Sequence, residues 1–176
     1  MTSPDPVSDA RAYRKPLLGL VGYDDPAEIQ TSPPAALRVV VTQAGSGLRT
    51  RPAPGEWSVV ELVGHLTDAE LVSSGRYRWI LFHDTPPIPD YDQDLWVERL
   101  RHREADPADL LTLFAALRTA NLELWRRTPL EERSRYGVHA ERSPESYELT
   151  FRLMAGHDRF HLTQARRTLA QIRSAS

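Results

Sequence analysis

Four stretches of this chain repeat apolar residues at helical spacing, and proline-rich breaks separate them. That pattern restricts the fold more than any other feature, because each apolar stripe must be buried against another. The first helix is expected over about Pro34 to Leu48, with Leu37, Val40, Val41, Ala44 and Leu48 on one face. Thr50 to Gly55 is a short connection. The second helix begins after Ser58, where Glu61 completes the capping-box spacing and Trp57 and Leu62 form a hydrophobic-staple pair. Its stripe is Val59, Leu62, Val63, Leu66, Ala69 and Val72, and it is expected to run to about Leu81.

A long connection, 82–105, carries three prolines and a short segment around Trp96 to Leu100. Asp106 and Pro107 open the third helix, whose stripe is Leu110, Leu113, Phe114, Leu117, Asn121 and Leu124; Pro129 ends it. Residues 130–142 read as irregular. The fourth helix is expected from Ser143, with Pro144 just inside, along Tyr147, Phe151, Met154, His161, Ala165, Leu169 and Ile172. The prolines of 1–33 (Pro4, Pro6, Pro16, Pro26, Pro33, then Pro34) predict an irregular N-terminal extension, with LLGLV at 17–21 packed on the body or on a partner.

The fold class is therefore all-α, a four-helix bundle over 34–172. A short first connection makes helices one and two antiparallel. The long second one lets the chain cross back, giving up-down-down-up topology. A connection of that length also suits a lid or a pocket wall.

Composition narrows the function. The net charge is -2 and the pI about 6.3, which argues against nucleic acid as a partner. No apolar run approaches the ~20 residues that span a bilayer, and the N-terminus lacks the order of a secretory signal. With no cysteine, disulfides, thiolate ligands and a cysteine nucleophile are excluded, and a cytoplasmic location is expected. GxGxxG, P-loop, GxSxG and HExxH patterns are all absent.

The histidines carry the chemistry. His157 and His161, in MAGHDRFHLTQ, lie one turn apart on one side of a helix, the reach needed to grip one ion. His65, in VGHLTDAE at the edge of the second stripe, is the best third ligand. Three neutral imidazoles suit zinc, nickel, iron or cobalt, and three protein ligands leave a position open for chemistry. The blander reading is three unrelated histidines. Asp68 could approach His65, and Glu70 points away from it. Asp158 orients a histidine or forms an outer salt bridge, and Gln164 could bond a ligand or make an ordinary amide contact. Glu56 sits in a loop or at the pocket entrance. His83 and His102 read as solvated, His139 as a surface loop residue, Arg76 and Arg118 as surface arginines. Asn121 breaks its stripe and must find partners in the core. Trp57, Trp79, Trp96 and Trp125 read as packing residues.

RPAPGEWSVVELVGHLTDAE, DYDQDLW, LRTANLELW, GVHAERS and AGHDRFHLTQ together resemble the DinB-like superfamily over about 34–172. The resemblance implies the up-down-down-up bundle and a three-histidine site, which falls on His65, His157 and His161, with zinc or nickel the usual ion. Relatives include bacillithiol transferases and mycothiol-dependent isomerases. It thus implies an external low-molecular-weight thiol as cofactor and an electrophilic small molecule as substrate. The leading expectation is thiol transfer, with Asp68, Asp158 and Gln164 as supporting residues. The alternatives are a metal-dependent hydrolase, with Asp68, Asp158 or Glu141 as base, and a non-catalytic metal-containing binding or stress protein. A homodimer is also expected.

Overall fold

A computed structural model describes residues 10–174. Its helices are α1 (Ala10–Val21), α2 (Pro26–Thr31), α3 (Pro33–Ala44), α4 (Val59–Phe82), α5 (Gln93–Arg99), α6 (Pro107–Arg127) and α7 (Tyr147–Ser174). Three short strands, β1 (Pro87–Ile88), β2 (Tyr136–His139) and β3 (Ser143–Ser146), form one small sheet in that order.

The bundle consists of α3, α4, α6 and α7, and its side-chain pairings give the directions. Thr67, Glu70 and Ser74 of α4 meet Leu110, Arg118 and Asn121 of α6 in ascending order, so these helices run parallel. His65 meets His157 and His161, whereas Tyr77 meets Tyr147 and Phe151, so α4 and α7 are antiparallel. Leu37 shares a cluster with Val63, Leu66 and Leu162, and Val40 and Ala44 share one with Val59, Leu62, Leu169 and Ile172. Thus α3 runs against α4 and along α7. The topology is up-down-down-up, as the loop lengths allowed.

The start of α4 follows its sequence signals. Glu61 accepts hydrogen bonds from the Ser58 amide at 2.8 Å and the Ser58 hydroxyl at 2.6 Å, and Trp57 and Leu62 pack in one cluster. Asp106 caps α6 through the Ala108 amide, with Pro107 at the first position.

Four expectations are corrected. Residues 10–33 are not irregular: they are mostly helical and belong to the same body. Pro26 and Pro33 start helices, a position where a missing N–H costs nothing, and Pro16 lies inside α1 on an exposed face. Leu17 and Val21 are buried, and Gly156 lets α1 touch α7, since a Cβ there would lie 2.2 Å from the Leu17 carbonyl oxygen. LLGLV therefore covers the body. The stretch preceding Ala10, with Pro4 and Pro6, lies outside the described residues.

The first bundle helix ends at Ala44, and a 3₁₀ turn, Gly45–Arg49, carries Leu48. Likewise 130–142 is partly ordered, and α7 begins at Tyr147. Ser143 adopts a left-handed φ of 66°, which turns the chain into β3, where Pro144 pairs with Val138 on the sheet edge. Ser146 then caps α7 through the Leu149 amide.

Candidate metal centre

His65 projects from α4, and His157 and His161 project from successive turns of α7. Nε2 of His65 lies 3.0 Å from Nε2 of His157 and 3.2 Å from Nε2 of His161. A tetrahedral ion with bonds of about 2.0–2.1 Å holds its ligand nitrogens roughly 3.3 Å apart, so the spacing fits. All three rings are buried. Burial, reinforced by the neighbouring rings, holds His65 and His157 well below the ordinary histidine pKa, and burial brings His161 down to about 4. The imidazoles are therefore neutral at pH 7, which is the ligating form. Nδ1 of His161 lies 2.8 Å from Oε1 of Gln164, which places the ring proton on Nδ1 and leaves the Nε2 lone pair facing the cluster. The Trp57 ring lies 4.9 Å from His65 and walls that side. Among the described residues, these three histidines are the set able to hold a metal ion.

Of the carboxylates singled out in the sequence, none joins the cluster. Asp68 lies 2.6 Å from Nε2 of His102, not on His65. His102 is buried rather than solvated, because Gly64 leaves room for its ring: a Cβ there would sit 2.3 Å from it. Asp158 orients no histidine. It takes two bonds from Arg118, at 2.6 and 3.0 Å, and Arg118 also donates to Glu70 at 2.8 Å. Arg118 is 1% exposed, so its surface reading is overturned. Two carboxylates flank one guanidinium, and Asn121 supplies a further donor to Glu70 at 2.7 Å and another to Ser74. Burial raises Asp158 to about 6 against the pull of Arg118.

Glu70 points away from the histidines, as helical phase predicts. Glu141 is exposed, and Glu56 approaches Arg167 at 3.5 Å. His83 is exposed, as expected, whereas His139 is 1% exposed and not a surface residue. Arg76 is also buried. Trp125 stacks on Phe151 at 4.1 Å and Trp57 is buried, but Trp79 lies half-exposed at the rim of an apolar groove.

A signal for Arg118 and Asp158 existed in their phase. Arg118 falls between Phe114 and Leu122, and Asp158 between Met154 and Leu162, each four residues away on the apolar side. His102 and His139 carry no local signal, since their neighbours come from distant elements.

These features define a four-helix bundle with a buried three-histidine centre. The sequence pattern of the DinB superfamily matches residues 28–165, and the chain belongs to that superfamily. It is 35% identical over 85 residues to "Putative metal-dependent hydrolase YfiT" of Bacillus subtilis (strain 168). That match covers 48% of this chain and 48% of the relative, about half the length of each. The solved structure of YfiT, described as having an unusual four-helix bundle topology, superposes with a TM-score of 0.77. There the identity is 26%, and the match covers 82% of this chain and 84% of that one. No helix among the described residues is long and apolar enough to cross a membrane.

Proposed function

We propose that the chain is a metal-dependent hydrolase, with His65, His157 and His161 as the ligands of one divalent ion such as zinc or nickel. The observation that carries this reading is the convergence of three neutral Nε2 atoms in a buried site without a fourth protein ligand among the described residues. An ion held by three imidazoles with a position open supplies Lewis acidity, which lowers the pKa of water and polarises a carbonyl or phosphoryl oxygen. The similarity to YfiT, named as a metal-dependent hydrolase, supports water rather than a thiol as the nucleophile.

This chain's residues then have distinct tasks. Gln164 holds the His161 ring, and Trp57 keeps water off one side of the cluster. Although it does not touch the cluster, Asp68 lies one turn beyond His65 on α4 and is the proton acceptor we assign. Asp158 and Glu70 are occupied by Arg118, whereas Asp68 meets His102 through Oδ2 at 2.6 Å and has no arginine partner among the described residues. His102 Nε2–H steadies the carboxylate and takes up part of its charge.

The test is a panel of activated esters, amides and phosphoesters with zinc- or nickel-loaded protein. Hydrolysis should disappear in His157→Ala and fall about 10²–10⁴-fold in Asp68→Asn. The same preparations, given bacillithiol, mycothiol, glutathione or coenzyme A with an electrophile, test thiol transfer. Conjugation without hydrolysis would replace the hydrolase reading.

A further inference from the structure

A small pocket opens beside His157, between α1, α4 and the segment leading to α5, and Tyr13, Arg76, Asp90, Tyr91 and Arg142 line it. Its volume of about 40 Å³ suits a small terminal group rather than a whole substrate. The two arginines differ in their partners. Arg142 is satisfied: it bonds Glu145 at 2.9 Å, and its guanidinium lies 4.6 Å over the Tyr13 ring.

Arg76 is not satisfied. It is 7% exposed, yet no carboxylate among the described residues lies within 4.0 Å of it. Its Nη2 donates to the Pro89 carbonyl at 2.8 Å, and its Nε is buried without a partner. The same Nη2 lies 3.5 Å from Nε2 of His139, and Tyr13, Tyr91, Arg142 and Glu145 act on the guanidinium from further off. Nε2 of His139 carries the ring proton, because His139 Nδ1 accepts from the Glu141 and Arg142 amides. The contact therefore sets two donors against each other. Asp90, the acidic residue of the pocket, faces His139 at 3.7 Å instead.

A buried guanidinium without a counter-ion is costly, and folded proteins keep few. A guanidinium N–H left without an acceptor is also a donor that a carboxylate can take, with the neighbouring N–H groups of the same plane in reach. We propose that the pocket binds a carboxylate of the substrate, with Arg76 as its counter-ion, and so sets the scissile group of the same molecule against the histidine cluster. The substrate class is then a small molecule that carries a free carboxylate beside the bond that reacts. This rests on the hydrolase reading for the reacting bond, but not for the anion itself.

Acetate is the probe, with acetamide as its uncharged counterpart and inorganic phosphate as a second anion. Each is titrated at constant ionic strength into metal-free and zinc-loaded protein while the thermal midpoint is followed. Acetate should raise the midpoint in both forms, acetamide should not, and phosphate should act more weakly. Arg76→Met should abolish the acetate response and, without anion, melt roughly 2–4 °C above the wild type, because the unpaired charge is gone. A purely structural Arg76 would instead melt lower on replacement. Arg76→Lys keeps the charge but loses the fork, and should weaken acetate binding at least tenfold. Equal responses to acetate and acetamide, an unchanged response in either variant, or a stronger response to phosphate would overturn the proposal. A response in metal-free protein together with an inactive metal-loaded protein would reject the hydrolase reading alone.

Discussion

Gln164 accepts the Nδ1 proton of His161 at 2.8 Å, and this one bond sets the tautomer of a candidate ligand. The Nδ1 atoms of His65 and His157 are buried and have no such partner. His161 is thus the best-oriented of the three. Partners of this kind are worth about 10–100-fold in metal affinity. Gln164→Leu should weaken zinc binding by that factor without unfolding the protein, and competition with a chromophoric chelator measures it.

Arg118 is the electrostatic keystone between α4, α6 and α7. Removing it leaves Glu70 and Asp158 buried without their cation. Arg118→Ala should cost about 3–5 kcal/mol, the range for breaking a buried pair. Urea denaturation checks this. A Glu70→Gln, Arg118→Met, Asp158→Asn triple variant, which removes all three charges, should recover much of the loss.

Buried histidines make the metal-free protein acid-sensitive. Burial and the nearby Arg142 and Arg76 lower His139 to about 4, and burial lowers His161 to about 4, against 6.5 for an ordinary histidine. Between those values the unfolded chain binds protons that the native state refuses. Stability is therefore full above pH ~6.5 and falls as the pH drops towards 4. Asp158, raised to about 6, opposes this more weakly, since there the native state binds the extra proton between about 3.8 and 6. Denaturation at stepped pH should show the net loss. His139→Gln should reduce the slope by about one proton while leaving zinc affinity unchanged.

The elements legible in the sequence were those with local signals. Ser58 with Glu61, Asp106 with Pro107, and the His157–His161 spacing each state a helix start or a shared face within a few residues. The histidine cluster was legible because helical phase alone brings His157 and His161 together, and His65 sits at the edge of another helix's apolar stripe. The N-terminal helices were hidden by their prolines, which can start a helix as well as break one. The strands escaped because β1 has two residues and exists only by pairing with β2. Arg76, His102 and His139 looked exposed because the elements that bury them come from far along the chain.

His65, His157 and His161 are expected to hold one divalent ion. Elemental analysis of the purified protein, before and after dialysis against zinc and nickel, tests it most directly. The wild type should carry about one ion per chain, and His157→Ala should lose it with the fold retained. A protein that is free of metal as purified, and that takes up neither zinc nor nickel when offered, would contradict that expectation.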